Sequence, residues 1–286
     1  MSLSLWYNGD IVRVDEIGIH PLAHGLHYGT GVFEGIRAYA TPDGAAVFRL
    51  RDHLDRMARG CEALGIRFSI SEFEAATLAV LRANRHRDAY IRPLATYARG
   101  GLGLDVEVLG EDVLVASMPW KPHLGSDRVK LTHSPYRRNT AAAIPPLKLC
   151  GAYVNSILAK REATSRGFGE ALFTDAQGMV VECTGENVFM VKDGRVTAVE
   201  HPDALPGITR ATVMELAGAE SRTVSLEELA DADEIFLTGT SAEIAQVGWL
   251  DQRELGANPI SMELRRLYQR VVTGQEAARH GWLTTY

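Results

Sequence analysis

Apolar and polar residues alternate in short bursts through the first third of the chain, and this spacing predicts strands joined by tight turns. Trp6-Tyr7 and Ile11-Val12 flank Asn8-Gly9-Asp10, a pair of arms across a favoured hairpin turn. Val32 to Ala40 and Ala45 to Leu50 form a second hairpin across Thr41-Pro42-Asp43-Gly44. The period then lengthens. Leu54, Met57 and Leu64 lie on one face of a helix over 51–64, and Ser71-Glu72-Phe73-Glu74 reads as a capping box opening a helix to about Arg85. Strands follow at 89–97 and 112–118, separated by the glycine-rich loop Arg99-Gly100-Gly101-Leu102-Gly103-Leu104-Asp105.

Lys121-Pro122-His123-Leu124-Gly125-Ser126 has the composition of a linker. It divides the chain into a smaller N-terminal domain (1–123), a linker (124–129) and a larger C-terminal domain (130–286). The second part predicts helices at 151–166, 208–219 and 260–280, and strands at 170–175, 180–183, 188–192, 234–238 and 244–247. Strands and helices segregate without regular βαβ alternation, which indicates an α+β fold.

Composition narrows the function classes. Of the 286 residues, 46% are hydrophobic and 23% charged, the balance of an ordinary globular protein. A net charge of -6 argues against a dedicated nucleic-acid binder. Cys61, Cys150 and Cys183 are far apart, so neither a zinc site nor a disulfide framework is indicated. His20, His24 and His27 invite a metal, but Pro21 and Gly25 interrupt the segment and no cysteine or paired carboxylate completes the set. The first ten residues lack the basic and apolar regions of a signal peptide, and no uncharged run reads as a membrane span, so a cytoplasmic location is expected.

One residue stands out chemically. Lys148 is the only charged residue between Arg138 and Lys160, set within Ala141 to Gly151. Apolar surroundings disfavour an ammonium ion, so its pKa is expected to fall from ~10.4 toward neutrality. A neutral lysine amine is a nucleophile toward carbonyls, including that of pyridoxal phosphate; the plain alternative is a lysine that snorkels to solvent. Leu205-Pro206-Gly207-Ile208-Thr209-Arg210 leads into a helix whose first amides could hold an anion, with Gly207 allowing close approach and Thr209 adding a hydroxyl, or Thr209 could be a simple N-cap. Thr238-Gly239-Thr240-Ser241-Ala242 could form a second anion-binding turn or merely end a strand. A buried Glu182 or Glu186 could pair with a protonated pyridine nitrogen, whereas a solvated strand-end acid is the bland reading. Arg56 alone would read as a solvated helix charge.

Taken together, these pieces resemble the branched-chain amino acid aminotransferases, fold type IV pyridoxal-phosphate enzymes. The resemblance runs from Trp6-Tyr7-Asn8-Gly9 to Gly281-Trp282-Leu283. It is carried by His27 to Arg37, Ala89 to Leu94, Val181 to Asn187, Leu205 to Arg210 and Gly239 to Ile244, with Lys148 between the second and third. It implies a two-domain α+β fold with the cofactor between the domains and Lys148 as the residue that carries pyridoxal 5'-phosphate and shuttles protons. By the same resemblance, Glu182 partners the pyridine nitrogen and Tyr153 the ring oxygen. Arg56, Gly207, Ile208, Thr209 and Thr240 hold the phosphate, and Leu205 packs on the ring.

On the substrate side the resemblance implies that Tyr90 and Thr240-Ser241-Ala242 bind the α-carboxylate. Phe33, Trp120, Leu102 and Leu104 line an apolar pocket, Arg92 and Tyr28 accept a distal carboxylate, and Arg37 follows the branched-chain pattern. His123 and the second glycine of the 99–105 loop depart from that pattern at the substrate rim. The implied reaction is transamination between leucine, isoleucine or valine and 2-oxoglutarate in a homo-oligomer, at least a dimer; a D-amino acid or R-amine transaminase on the same scaffold is the alternative.

Overall fold

The structure, a computed structural model, describes residues 3–120 and 128–286. His123 and most of the expected linker, 124–129, therefore lie outside the described residues. In chain order the strands are β1 (Ser4–Tyr7), β2 (Asp10–Arg13), β3 (Gly31–Phe33), β4 (Ile36–Thr41), β5 (Gly44–Phe48), β6 (Ala89–Arg99), β7 (Gly110–Pro119), β8 (Val129–His133) and β9 (Glu170–Thr174). They continue with β10 (Val180–Cys183), β11 (Asn187–Lys192), β12 (Arg195–Val199), β13 (Glu220–Arg222), β14 (Glu234–Gly239), β15 (Glu243–Leu250), β16 (Arg253–Glu254) and β17 (Leu283–Thr285). The α-helices are α1 (His24–Tyr28), α2 (Leu50–Leu64), α3 (Ile70–Asn84), α4 (Tyr153–Ser165), α5 (Ile208–Ala217), α6 (Leu226–Ala230) and α7 (Pro259–Val272).

The chain forms two compact units. One comprises Met1–Lys121, Leu147–Ala152 and Val271–Tyr286, the other Pro122–Pro146 and Tyr153–Arg270. Lys148 and the C-terminal segment thus belong with the first unit, where a linear division at the linker would put both in the second.

The first unit is built on a sheet of order β17-β5-β4-β6-β7-β1-β2, with β3 also paired to β6. The Asn8-Gly9 turn has positive φ at both positions (49° and 107°), as a tight hairpin turn requires. The apolar run 32–40 is not one strand. It breaks at Glu34-Gly35 into β3 and β4, whose pairing with β6 resumes in the same register on either side, Phe33 opposite Leu94 and Ile36 opposite Ile91. The break faces Arg92-Pro93, and Pro93 has no N–H to give a neighbouring strand. Its carbonyl instead accepts from the Glu34 amide at 3.0 Å.

Helices α2 and α3 form for ordinary reasons. Leu50, Leu54, Met57 and Cys61 recur at helical spacing and are buried in a core with Val47, Phe73, Val80, Ile91 and Val115. Each large side chain buried there stabilises the unit by roughly 1.5–3 kcal/mol. The cap of α3 is Ser69, not Ser71: Ser69 is extended and its hydroxyl accepts from the Glu72 amide at 3.4 Å.

The second unit carries a sheet of order β10-β9-β8-β15-β14-β11-β12-β13, with β16 on β15. Strands β8, β12, β13 and β16 are additions to the sequence expectation. The closing helix ends at Val272 rather than His280, because Gly274 turns the chain at φ +75°. Among the described residues no helix is long and apolar enough to cross a membrane.

Candidate active site

In the first unit the break at Glu34-Gly35 organises one set of side chains. Glu34 is fully buried, at 0% exposure. Arg56 donates from Nε to its Oε1 at 2.7 Å and from Nη2 to its Oε2 at 2.8 Å. His53 Nδ1 lies 2.8 Å from Oε2, and the Gly35 amide donates to the same oxygen at 3.2 Å. Burial alone would push the Glu34 carboxyl up, but Arg56 and His53 reverse the sign and hold it well below the usual range. Burial depresses the His53 pKa, against the pull of Glu34. Arg56 is therefore a buried, two-point ion pair, not a solvated helix charge.

Beside it runs a row of rings and cations. The Arg37 guanidinium lies 3.9 Å over Trp120 and 4.4 Å over Tyr39, and Trp120 stacks on Tyr90 with centroids 5.9 Å apart. Arg92 lies 5.3 Å over Tyr90 and 4.8 Å over Phe33, and its Nη2 donates to the Tyr90 hydroxyl at 3.0 Å. Lys148 Nζ lies 4.9 Å from the centre of the Phe33 ring. The lysine is fixed by its own backbone: the Phe33 amide donates to the Lys148 carbonyl, and Val32 bridges to Leu149. Gly35 is needed for the row, since a Cβ there would fall 2.0 Å from the Tyr90 hydroxyl. Phe33, Arg37, Tyr90, Arg92, Trp120 and Lys148 are thereby brought together. Arg92 Nε is buried without a hydrogen-bond partner among the described residues, an available donor for an anionic ligand.

The expected loop residues lie at the surface of this unit. Leu102 is exposed and Leu104 more so, at 82%. The Tyr28 hydroxyl donates to the Leu102 carbonyl at 2.8 Å. The three histidines have separate tasks: His20 Nδ1 accepts from the Leu22 amide, His27 Nε2 bonds the Pro21 carbonyl, and buried His24 bonds Thr30 and Gly103.

The second unit contributes another set. Glu182 is buried; its Oε1 is 2.8 Å from Arg138 Nε, and its Oε2 accepts from the Leu205 amide at 3.0 Å and Asn187 Nδ2 at 3.4 Å. The bland reading of a solvated acid is overturned. Leu205 is tied to the same carboxylate, and its carbonyl accepts from Asn187 at 2.9 Å. Helix α5 starts at Ile208 with Gly207 as its cap and no side-chain cap on its first amides. Thr209 is buried inside the first turn and is not the cap. Gly207 also meets a packing need: a Cβ there would fall 1.9 Å from Asn187 Oδ1. Thr240, Ser241 and Ala242 form the half-buried turn between β14 and β15, and Tyr153 opens α4. Glu186 is buried with Oε2 unpartnered among the described residues, and burial next to Glu170 pushes its pKa up to about 8.

These donors fit a phosphorylated pyridine. The uncapped amides of α5 suit a phosphate, a buried carboxylate oriented by arginine suits a ring N–H, and the buried Thr238 hydroxyl has no partner among the described residues. Sequence reasoning missed Glu34, His53 and Arg138. Glu34 was visible inside the 27–37 motif, whereas Arg138 pairs with a residue remote in sequence and gave no local signal.

Comparison with known proteins agrees with this chemistry. Residues 31–248 match the family model "Amino-transferase class IV". The branched-chain-amino-acid aminotransferase of Pseudomonas aeruginosa is 37% identical over 295 residues, covering 98% of this chain and 96% of the relative. That of Escherichia coli K12 is 36% identical with the same coverages. Among solved structures, the Thermobaculum terrenum branched-chain amino acid aminotransferase in its PLP-form superposes with a TM-score of 0.91 at 34% identity, covering 99% of this chain and 98% of that one. The Thermoproteus uzoniensis branched-chain aminotransferase with norvaline gives 0.95 at 37% identity, with 99% of each chain covered. The chain belongs to the class IV aminotransferases, with their fold type IV α+β architecture.

Proposed function

We propose that this chain transfers the amino group between branched-chain L-amino acids (leucine, isoleucine and valine) and 2-oxoglutarate, with pyridoxal 5'-phosphate as cofactor. One observation carries the reading. The amine of Lys148 ends a row in which apolar rings alternate with two guanidiniums, Arg37 and Arg92. Such a row offers apolar contact to a hydrocarbon side chain and cations to carboxylates, which is what two substrates of opposite polarity demand of one pocket.

Lys148 would carry the cofactor. Arg56 in the first unit, and Gly207, Ile208, Thr209 and Thr240 in the second, would hold its phosphate. Glu182 would keep the ring nitrogen protonated, Tyr153 would bond the ring oxygen, and Leu205 would pack on the ring. Once bound, the cofactor supplies an electron sink for charge developing at the substrate's α-carbon. Lys148 Nζ moves the proton of that carbon, as base and then as acid. Tyr90, Thr240, Ser241 and Ala242 orient the α-carboxylate; Phe33, Trp120, Leu102 and Leu104 exclude water around an aliphatic side chain; Arg92 and Tyr28 receive the distal carboxylate of the second substrate, with Arg37 in the same row as Arg92.

A cytoplasmic homo-oligomer, at least a dimer, is part of the proposal. It is supported by three free cysteines and by the exposed apolar side chains Ile19, Leu22 and Leu26 on the first unit and Val154, Ile157 and Leu158 on the second. The deciding experiment is the absorbance spectrum with pyridoxal phosphate before and after L-leucine, with L-isoleucine, L-valine, D-alanine and an R-arylamine in parallel. Lys148→Ala is expected to fold and lose turnover, and full activity in that variant would refute the assignment.

A further inference from the structure

The glycine-rich loop between β6 and β7 presents two leucines to solvent, and its backbone has little reason to stay in place. Gly100 and Gly101 have φ of +126° and +153°, and three of the six residues from 99 to 104 lack a side chain. Ordering such a segment when ligand arrives costs conformational entropy at every residue. Helix α1 meets this cost in advance.

His24 is buried, and its ring bonds two ways: Nε2 lies 2.9 Å from the Gly103 carbonyl and Nδ1 2.7 Å from Thr30 Oγ1. A carbonyl only accepts, so Nε2 carries the proton. In the neutral ring Nδ1 then accepts from the Thr30 hydroxyl; in the charged ring it donates to the same oxygen, so the contact survives either way. The Thr30 carbonyl in turn accepts from Thr96 Oγ1 at 2.9 Å and the Tyr97 amide at 3.2 Å, which anchors the assembly to β6. One turn on, Tyr28 donates to the Leu102 carbonyl at 2.8 Å, and its ring packs on that of His24 with centroids 4.6 Å apart. Two consecutive loop carbonyls, those of Leu102 and Gly103, are thus held by side chains of one short helix. The site has no slack: a Cβ on Gly25 would fall 2.1 Å from Thr96 Oγ1.

We propose that His24 is a specificity-determining positioning residue: it clamps the 99–105 loop so that Leu102 and Leu104 stand as a preformed apolar wall, selecting aliphatic side chains without touching substrate. The inference rests on the transaminase reading for its substrate and on the geometry alone for the clamp.

The test compares the holoenzyme with His24→Phe, which keeps the ring between Tyr28 and Tyr97 but removes both hydrogen bonds, and with His24→Gln, whose amide can still donate to Gly103. Hydrogen exchange is read at the amides of 100–105, and kcat and KM are measured for L-leucine and L-alanine. For His24→Phe, exchange in the loop is expected to rise and the KM for leucine to increase about tenfold, the value of one net hydrogen bond. The kcat stays near that of the unaltered enzyme, leucine loses its advantage over alanine, and His24→Gln recovers part of both effects. If His24→Phe does not fold, Tyr28→Phe on the exposed side of the clamp is expected to raise exchange at Leu102 and Gly103. Unchanged loop exchange, or an unchanged leucine-to-alanine ratio, overturns the proposal. Absence of leucine turnover in the unaltered enzyme overturns the transaminase reading and the selectivity role with it, whereas the exchange comparison still decides whether His24 holds the loop.

Discussion

Each unit buries a glutamate, and the two reach opposite charge states. Glu34 in the first unit meets a guanidinium on two edges and an imidazole on a third, and stays an anion. Glu186 in the second has a second carboxylate, Glu170, as its neighbour, and Lys160 is already taken by that neighbour at 2.6 Å. With a pKa near 8, Glu186 is mostly protonated at neutral pH. Desolvation is the largest influence at both sites and raises both carboxyls; it is overcome only at Glu34, where cations reach the oxygens. Glu182, like Glu34, is buried with an arginine within reach.

The comparison can be broken most forcefully at Glu34. Glu34→Gln removes the buried carboxylate that the Arg56 guanidinium grips at two points and is expected to cost about 3–5 kcal/mol at neutral pH, read by urea denaturation. Because the folded-state pKa lies below the ordinary 4.5, this contribution is present above pH 4.5 and is lost as pH falls below it. Glu186 predicts the reverse sign. Its folded pKa is raised from 4.5 to about 8, so its stability contribution is full below pH 4.5 and declines as pH rises through about 8. Glu186→Gln should therefore match the parent in acid and exceed it by an amount on the order of a few kcal/mol at pH 9; a melting-temperature series against pH reads the divergence, and parallel curves would refute it. The smallest change sharpens the pair from its other member. Thr184 donates to Glu170 from its hydroxyl at 2.6 Å, and Thr184→Val is expected to cost about 1 kcal/mol by removing one bond to that carboxyl group.

What the sequence disclosed follows from how local each signal is. The periodicity of α2, the Asn8-Gly9 turn and the strands around 180–192 depend on near neighbours, and all are present in the fold. The break in the 32–40 run is invisible locally because its cause, Pro93, lies on another strand. Strand β8 was missed for a similar reason: it is short and pairs in parallel with β9 and β15, both distant in sequence. Lys148 was legible as a lone charge in an apolar stretch. The clamp at His24 and the Arg138–Glu182 pair were not, since a buried polar contact shows itself only when both partners are placed.

The return of Leu283–Thr285 to lie against β5 has a bearing on how the protein is made. Those residues leave the ribosome only after the whole second unit has been synthesised, yet they complete the sheet begun at Ser4. The unit that carries Lys148 is therefore the first to start and the last to finish. A nascent chain must keep its half-built edge from pairing with the wrong strand until translation delivers the right one.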